Sequence, residues 1–289
     1  MKRGLIVATV LAVAGVAGLT YLPKQLLHGT NTGEYQDVTP IATENLPVHL
    51  EDLTWTEVRA LVRAGHTTAI VPTGGTEQNG PHMVLGKHNY VVRHTAGKIA
   101  KQLGNALVTP VMSYVPEGAI SPPTGHMAYP GTISVSEDIF AAVLESTARS
   151  LKAHGFRTIC FIGDSGGNQA IQANIAKKLN EEWIGSGVAV LHVANYYSAN
   201  GQVDWLLTSG ESESAIGSHA GIRDTSELLA VHPAGIRLDR RRSSSEAGMA
   251  TSGVIGDPTR ASVEIGEKML QLKVDAAVEQ ILQTFQAEG

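Results

Sequence analysis

Short apolar runs alternate along the chain with longer stretches in which apolar residues recur every three or four positions, and this alternation predicts strands followed by helices. Thr54-Trp-Thr-Glu-Val-Arg-Ala-Leu-Val-Arg63 opens with a capping-box pattern and continues at helical spacing. A strand is expected at 67–72, then a polar loop over 73–88, then a helix near 89–103. Ala106-Leu-Val-Thr-Pro-Val-Met112 reads as the next strand, and 136–154 as a helix ended by Gly155. Thr158 to Ile162 is a further strand, 163–168 a tight loop, 169–184 a helix, and Val188 to Val193 a strand. The last clear helix is expected over 260–285. Strands alternating with helices imply strands that run parallel and are covered on both sides. The expected fold class is therefore α/β: a single three-layer domain, its sheet mostly parallel, with helices on both faces.

The N-terminus breaks this pattern. Lys2 and Arg3 precede an uncharged run from Gly4 to Pro23, rich in Leu, Val and Ala. Such a start reads as a signal peptide or N-terminal membrane anchor over 1–23. Val16-Ala-Gly18 offers small residues for cleavage, while about 20 apolar residues also suffice to span a bilayer. Residues 24–46 read as a polar linker and 47–289 as the α/β domain. The domain is thus expected outside the cytoplasm, periplasmic or secreted, touching membrane only through its N-terminal segment.

Composition narrows the class. A chain of 289 residues, 43% hydrophobic and 17% charged, can bury one large core. A net charge of -5 and a pI near 6.1 argue against nucleic acid as a partner. The one cysteine, Cys160, sits in the apolar run Thr158-Ile-Cys-Phe-Ile162, where it reads as a buried strand residue.

On a parallel sheet the loops at the carboxyl ends of the strands converge on one edge, where α/β proteins hold ligands. Here the loop Thr73-Gly-Gly-Thr-Glu-Gln-Asn-Gly-Pro-His-Met-Val-Leu-Gly-Lys-His88 carries Glu77, Asn79, His82 and His88. Loop 163–168 adds Asp164, Ser165 and Asn168; Ser218 to Ser226 adds His219 and Asp224; Gly125 to Ile133 adds His126. Together they describe a polar cleft for a small molecule, furnished with acids, imidazoles and a hydroxyl. Gly163-Asp-Ser-Gly-Gly167 also matches the nucleophile segment of chymotrypsin-like proteases. Those are all-β proteins whose histidine and aspartate precede the serine, so the context is wrong here. A Ser165–His219–Asp224 triad stays as a minor alternative, because triads are defined by geometry.

The motifs resemble those of the creatininase (creatinine amidohydrolase) family. Its first motif, Pro-x-Gly-x-x-Glu-Gln-His-Gly-Pro-His, is similar to Pro72-Thr-Gly-Gly-Thr-Glu-Gln-Asn-Gly-Pro-His82, with His88 where the family has an aspartate. Asn-Gly-His-Gly-Gly-Asn aligns with Gly163 to Asn168, and His-Ala-Gly-Glu-x-Glu-Thr-Ser with His219 to Ser226. Pro130 to Ser134 and Gly253 to Pro258 also match, so the likeness runs over roughly residues 48–285.

The resemblance implies a hydrolase with two divalent metals, usually zinc or manganese, and a closed homo-oligomer. Several positions depart from it. Asn79 and Ser165 stand where the family has histidine ligands, Ile222 replaces a glutamate, and Asp224 shortens the next one. The metal set expected here is Glu77 and His88 with Asp224 or Asp164, holding one zinc or manganese per chain. His219, Asp224 and Ser165 are the expected catalytic residues. Glu77 or Asp224 would take the proton of a metal-activated water, and His219 would steady the oxyanion or protonate the leaving nitrogen. Asn79, His82, His126 and Asn168 are expected to contact substrate. The expected reaction is hydrolysis of a C–N or ester bond in a small cyclic amide, lactam or lactone. The alternative is a metal-free enzyme or ligand-binding protein on the same fold.

Overall fold

The computed structural model describes residues 42–287, which belong to one compact unit. The expected signal or anchor segment and most of the expected linker lie outside the described residues. Helix α1 (Trp55–Arg63) leads into strand β1 (Thr68–Thr73), α2 (Lys87–Leu103) and β2 (Ala106–Val108). Then come α3 (Glu137–Ala153), β3 (Thr158–Gly163), α4 (Gln169–Glu182) and β4 (Ala189–His192). Four shorter helices follow, α5 (Gln202–Thr208), α6 (Glu213–Ile216), α7 (Ile222–Val231) and α8 (Met249–Ser252), before the long α9 (Val263–Ala287).

The four strands form a parallel sheet in the order β2-β1-β3-β4. Every residue of β1 and β3 is buried, as expected for strands covered on both sides. Their side chains divide by alternation. Ala69, Val71, Ile159 and Phe161 pack with α1, α3 and α4 through Leu61, Leu144 and Leu179. Ile70, Cys160 and Ile162 pack on the opposite face with α2 and α9 through Val92, Ile99, Val274 and Ile281. The result is the three-layer α/β domain expected from the pattern. Cys160 lies inside it, and burial pushes its thiol up to about 12.

Local chemistry fixes the ends of the elements. Thr54 and Glu57 form the reciprocal capping box of α1. Strand β2 stops at Val108, earlier than its apolar run predicts, because Pro110 has no N–H to continue the ladder. Helix α2 starts at Lys87, two residues before the expected position, and so carries Lys87 and His88 in its first turn.

Strand order reverses between β1 and β3: one continues outward to β2, the other to β4. Ligands of open α/β sheets bind at such a switch point, beyond the carboxyl ends of the strands. The Asp164 N–H donates to Thr73 O at 3.0 Å, which extends the β1–β3 pairing into the site.

Candidate active site

The cleft lies over this switch point, with a volume of about 430 Å³. The loop after β1 supplies Glu77, the turn after β3 supplies Asp164 and Ser165, and α2 supplies His88. Glu117 and His126 come from the long connection between β2 and α3, His219 from the approach to α7, Asp224 from its first turn, and Lys273 from α9.

Glu77, His126 and His219 form the one cluster among the described residues that could hold a metal, with ligand atoms within 4.8 Å of one another. His126 Nε2 is 3.3 Å from Glu77 Oε2, and His219 Nδ1 is 4.0 Å from Glu77 Oε1. Gln78 backs both rings: its Nε2 lies 3.0 Å from His126 Nδ1 and 3.0 Å from His219 Nε2. His219 Nε2 also lies 3.0 Å from Gln78 O. The Gln78 carbonyl only accepts and its side-chain amide only donates, so the two contacts ask opposite proton states of His219 Nε2, and it is the carbonyl contact that leaves Nδ1 free to bind an ion. Burial holds the His219 pKa below its usual value, against the pull of Asp224 and Glu77, which favours the neutral form a ligand needs. Two imidazoles, one carboxylate and an open side toward a cleft are the donor set of a catalytic divalent site. The residues present fit such an ion.

His88 stands elsewhere than among these ligands. Its Nε2 is 2.8 Å from Glu77 Oε1 and its Nδ1 2.8 Å from Asp164 Oδ2. Burial and Lys87 lower its pKa, but Glu77 and the two hydrogen bonds outweigh them and raise it to about 9. The ring is thus an imidazolium donating to two carboxylates. Burial would raise the pKa of Glu77, yet the charge and hydrogen bond of His88 carry it well below the ordinary range, with help from Glu117 and His126.

Two ammonium groups complete this side of the site. Lys87 Nζ, 1% exposed, donates to Asp224 Oδ1 at 2.6 Å and lies 3.7 Å from Asp164 Oδ2. Lys273 Nζ donates to Asp164 Oδ1 at 2.6 Å and to Glu227 Oε2 at 3.1 Å. Tyr196 adds its hydroxyl to Asp164 Oδ1 at 3.0 Å. Burial opposes charge on these acids and bases alike. Their mutual attraction prevails, lowering the pKa of Asp164 and Asp224 and raising that of both lysines. A lysine and a histidine in the first turn of α2 run against the helix dipole, and these carboxylates offset that cost.

Several expected roles change in the structure. Asp224, expected as a metal ligand and catalytic acid, is tied up within the fold: besides Lys87, its Oδ2 accepts from Ala220 N at 2.6 Å. That bond holds Ala220 in the left-handed region (φ 54) and turns the chain between His219 and the helix. With Asp224 held by Lys87 and Ala220, and His219 between Glu77 and Gln78, neither is aligned with Ser165 as a relay. Asn79, His82 and Asn168 were expected to contact substrate but are buried fastenings of the loops. Asn79 Nδ2 donates to Glu77 O, His82 Nε2 meets Thr225 Oγ1, and Asn168 Nδ2 donates to Thr73 Oγ1 and Gly74 O. His126, placed among the substrate contacts, belongs to the metal cluster.

Sequence reasoning missed Lys87, Glu117, Glu227, Lys273 and Gln78. Glu117 is 5% exposed, and burial beside the Glu77 carboxylate pushes its pKa up to about 10. That shift favours the protonated acid at this point of the cleft wall. Gly75 admits it, since a Cβ there would collide with Glu117 Oε1.

Comparison with known proteins places this geometry. Residues 51–281 match the family pattern described as "Creatininase: Creatinine amidohydrolase". A mycofactocin precursor peptide peptidase of Mycolicibacterium smegmatis is 27% identical over 232 residues, 73% of this chain and 83% of that protein. A creatinine amidohydrolase of Pseudomonas putida is 27% identical over 256 residues, 82% of this chain and 97% of that protein. Among solved structures, one described as "Creatininase Mn" superposes with a TM-score of 0.68 at 25% identity, covering 83% of this chain and 99% of the other. A creatininase variant described as "Zn-Zn type" superposes equally well, with a TM-score of 0.68 at 24% identity over 83% of this chain and 99% of that one.

Proposed function

Because the chain belongs to the creatininase family, whose members are metal-dependent amidohydrolases, we propose that it hydrolyses the C–N bond of a small cyclic amide or lactam at the Glu77–His126–His219 cluster. The observation that carries the reading is the donor set itself. Two imidazoles and a carboxylate converge at the wall of a polar cleft, and their outer atoms are oriented by Gln78. A divalent ion held there, zinc or manganese, would supply Lewis acidity and lower the pKa of a bound water toward ~7.

The chain's own groups supply the rest. Glu117 keeps its proton at neutral pH beside Glu77 and faces the cleft, which suits it to protonate the leaving nitrogen. Glu77 stays a carboxylate because His88 lies against it. Asp224, neutralised by Lys87, is a fixed charge that holds the His219 turn rather than a carrier of protons. A cleft of about 430 Å³ accommodates a ring the size of creatinine, a hydantoin or a small lactam. The charged start and apolar run of the N-terminal segment support a substrate met outside the cytoplasm.

The test is a screen of creatinine, hydantoins, small lactams and short peptides with zinc- and manganese-loaded protein, using Glu77→Ala as control. Chelator-sensitive opening of a ring amide by the wild type alone is the expected result. Turnover of linear peptides without ring opening would replace the substrate class, and no turnover of any amide by metal-loaded protein would overturn the proposal.

A further inference from the structure

We infer that the Lys87 and Lys273 ammonium groups occupy the place and supply the charge of a second divalent ion, so that this site takes one metal per chain. The inference rests on the metal-dependent reading above.

The atoms expected as ligands do converge, but on an amine. Lys87 Nζ stands 2.6 Å from Asp224 Oδ1, 3.7 Å from Asp164 Oδ2 and 3.3 Å from His88 Nδ1. Two carboxylates and an imidazole nitrogen around one point are what a divalent ion would recruit. Here the point is filled by a side chain that the fold itself delivers from the first turn of α2. Lys273 reaches the other oxygen of Asp164 from α9, at 2.6 Å, and is 5% exposed. Two ammonium groups carry the charge of one divalent ion.

Nothing is left open for a further ion. Asp164 Oδ1 already receives Lys273 and the Tyr196 hydroxyl, and its Oδ2 receives His88. Asp224 receives Lys87 and Ala220 N. Displacing Lys87 would leave a buried ammonium without its carboxylate partners, which strongly disfavours the exchange. The Glu77–His126–His219 cluster, by contrast, faces the open cleft: His88 takes Glu77 Oε1, and among the described residues no lysine pairs with Glu77.

Binding of zinc to the metal-stripped full chain, followed by calorimetry and elemental analysis, tests this. One equivalent per chain is expected, and manganese-loaded protein should give an uncoupled six-line electron paramagnetic resonance spectrum. Lys87→Ala should admit a second equivalent, an ion that takes the place of the Lys87 ammonium and of the His88 Nδ1 proton between Asp164 Oδ2 and Asp224 Oδ1. Two equivalents in the wild type, or an exchange-coupled manganese pair, would overturn the inference while leaving the metal-dependent reading intact. A folded Lys87→Ala protein that still binds one equivalent would also overturn it. No zinc or manganese bound at all would remove both readings. Should Lys87→Ala fail to fold, the wild-type stoichiometry and manganese spectrum still decide.

Discussion

Lys273 Nζ donates to Asp164 Oδ1 at 2.6 Å, tying the middle of α9 to the end of β3 across 109 positions of chain. Removing the ammonium leaves a buried carboxylate short of its counter-ion. Lys273→Met is therefore expected to lower the unfolding free energy by about 3 to 5 kcal/mol. Urea denaturation followed by far-ultraviolet circular dichroism measures it, and a loss below about 1 kcal/mol would mean that Lys87, His88 and Tyr196 suffice for Asp164.

His88 predicts how stability changes with pH. Its folded pKa, about 9, lies above the ordinary 6.5, so the charged form is favoured by folding. The stabilisation is complete below about pH 6.5 and is lost as the pH rises through 9. A shift of this size is worth on the order of 3 kcal/mol. Denaturation of the metal-stripped protein between pH 6 and pH 10 should show this decline, and His88→Gln should flatten it. An unchanged slope in the variant would assign the decline to another group.

Gln78 predicts an effect on affinity without loss of any ligand. Its amide and carbonyl position the outer nitrogens of His126 and His219. Replacing such a partner typically weakens metal binding about 10- to 100-fold. Competition of Gln78→Ala against a zinc chelator should show that drop with the stoichiometry unchanged. Equal affinity would mean that packing alone orients the rings.

Glu117 predicts a defect in turnover alone. Glu117→Gln keeps the shape and the hydrogen-bonding reach of the carboxylic acid but cannot release its proton. A decrease in kcat of about 10²- to 10⁴-fold is expected, with metal content at the wild-type level. Wild-type turnover in the variant would move proton delivery to another group.

Most of the fold was legible because its signals are local. The runs at β1 and β3 are apolar throughout since helices cover both faces, and Thr54 with Glu57 marks the start of α1 within four residues. Glu77 and His88 were legible as site residues because one polar loop carries both. Their partners were not. Lys273 lies in a helix between Leu270 and Val274, where a lysine reads as an ordinary helix former until α9 is packed against the sheet. Lys87 was passed over because the helix was expected to start after it, and two residues decide whether that side chain points into the cluster. His126 and His219 come from connections whose courses follow no hydrophobic period, so no pattern in the chain says that both rings meet Glu77.

The saturation of Asp164 has a consequence for how the protein is made. Its counter-charges arrive from α2 and α9 and its hydroxyl donor from Tyr196, all within the same chain. The domain can therefore close around this buried carboxylate with counter-charges from its own chain and no ion at that point. Scarcity of metal would then idle the protein without unfolding it, and a folded, empty pool could be charged as soon as the ion returns.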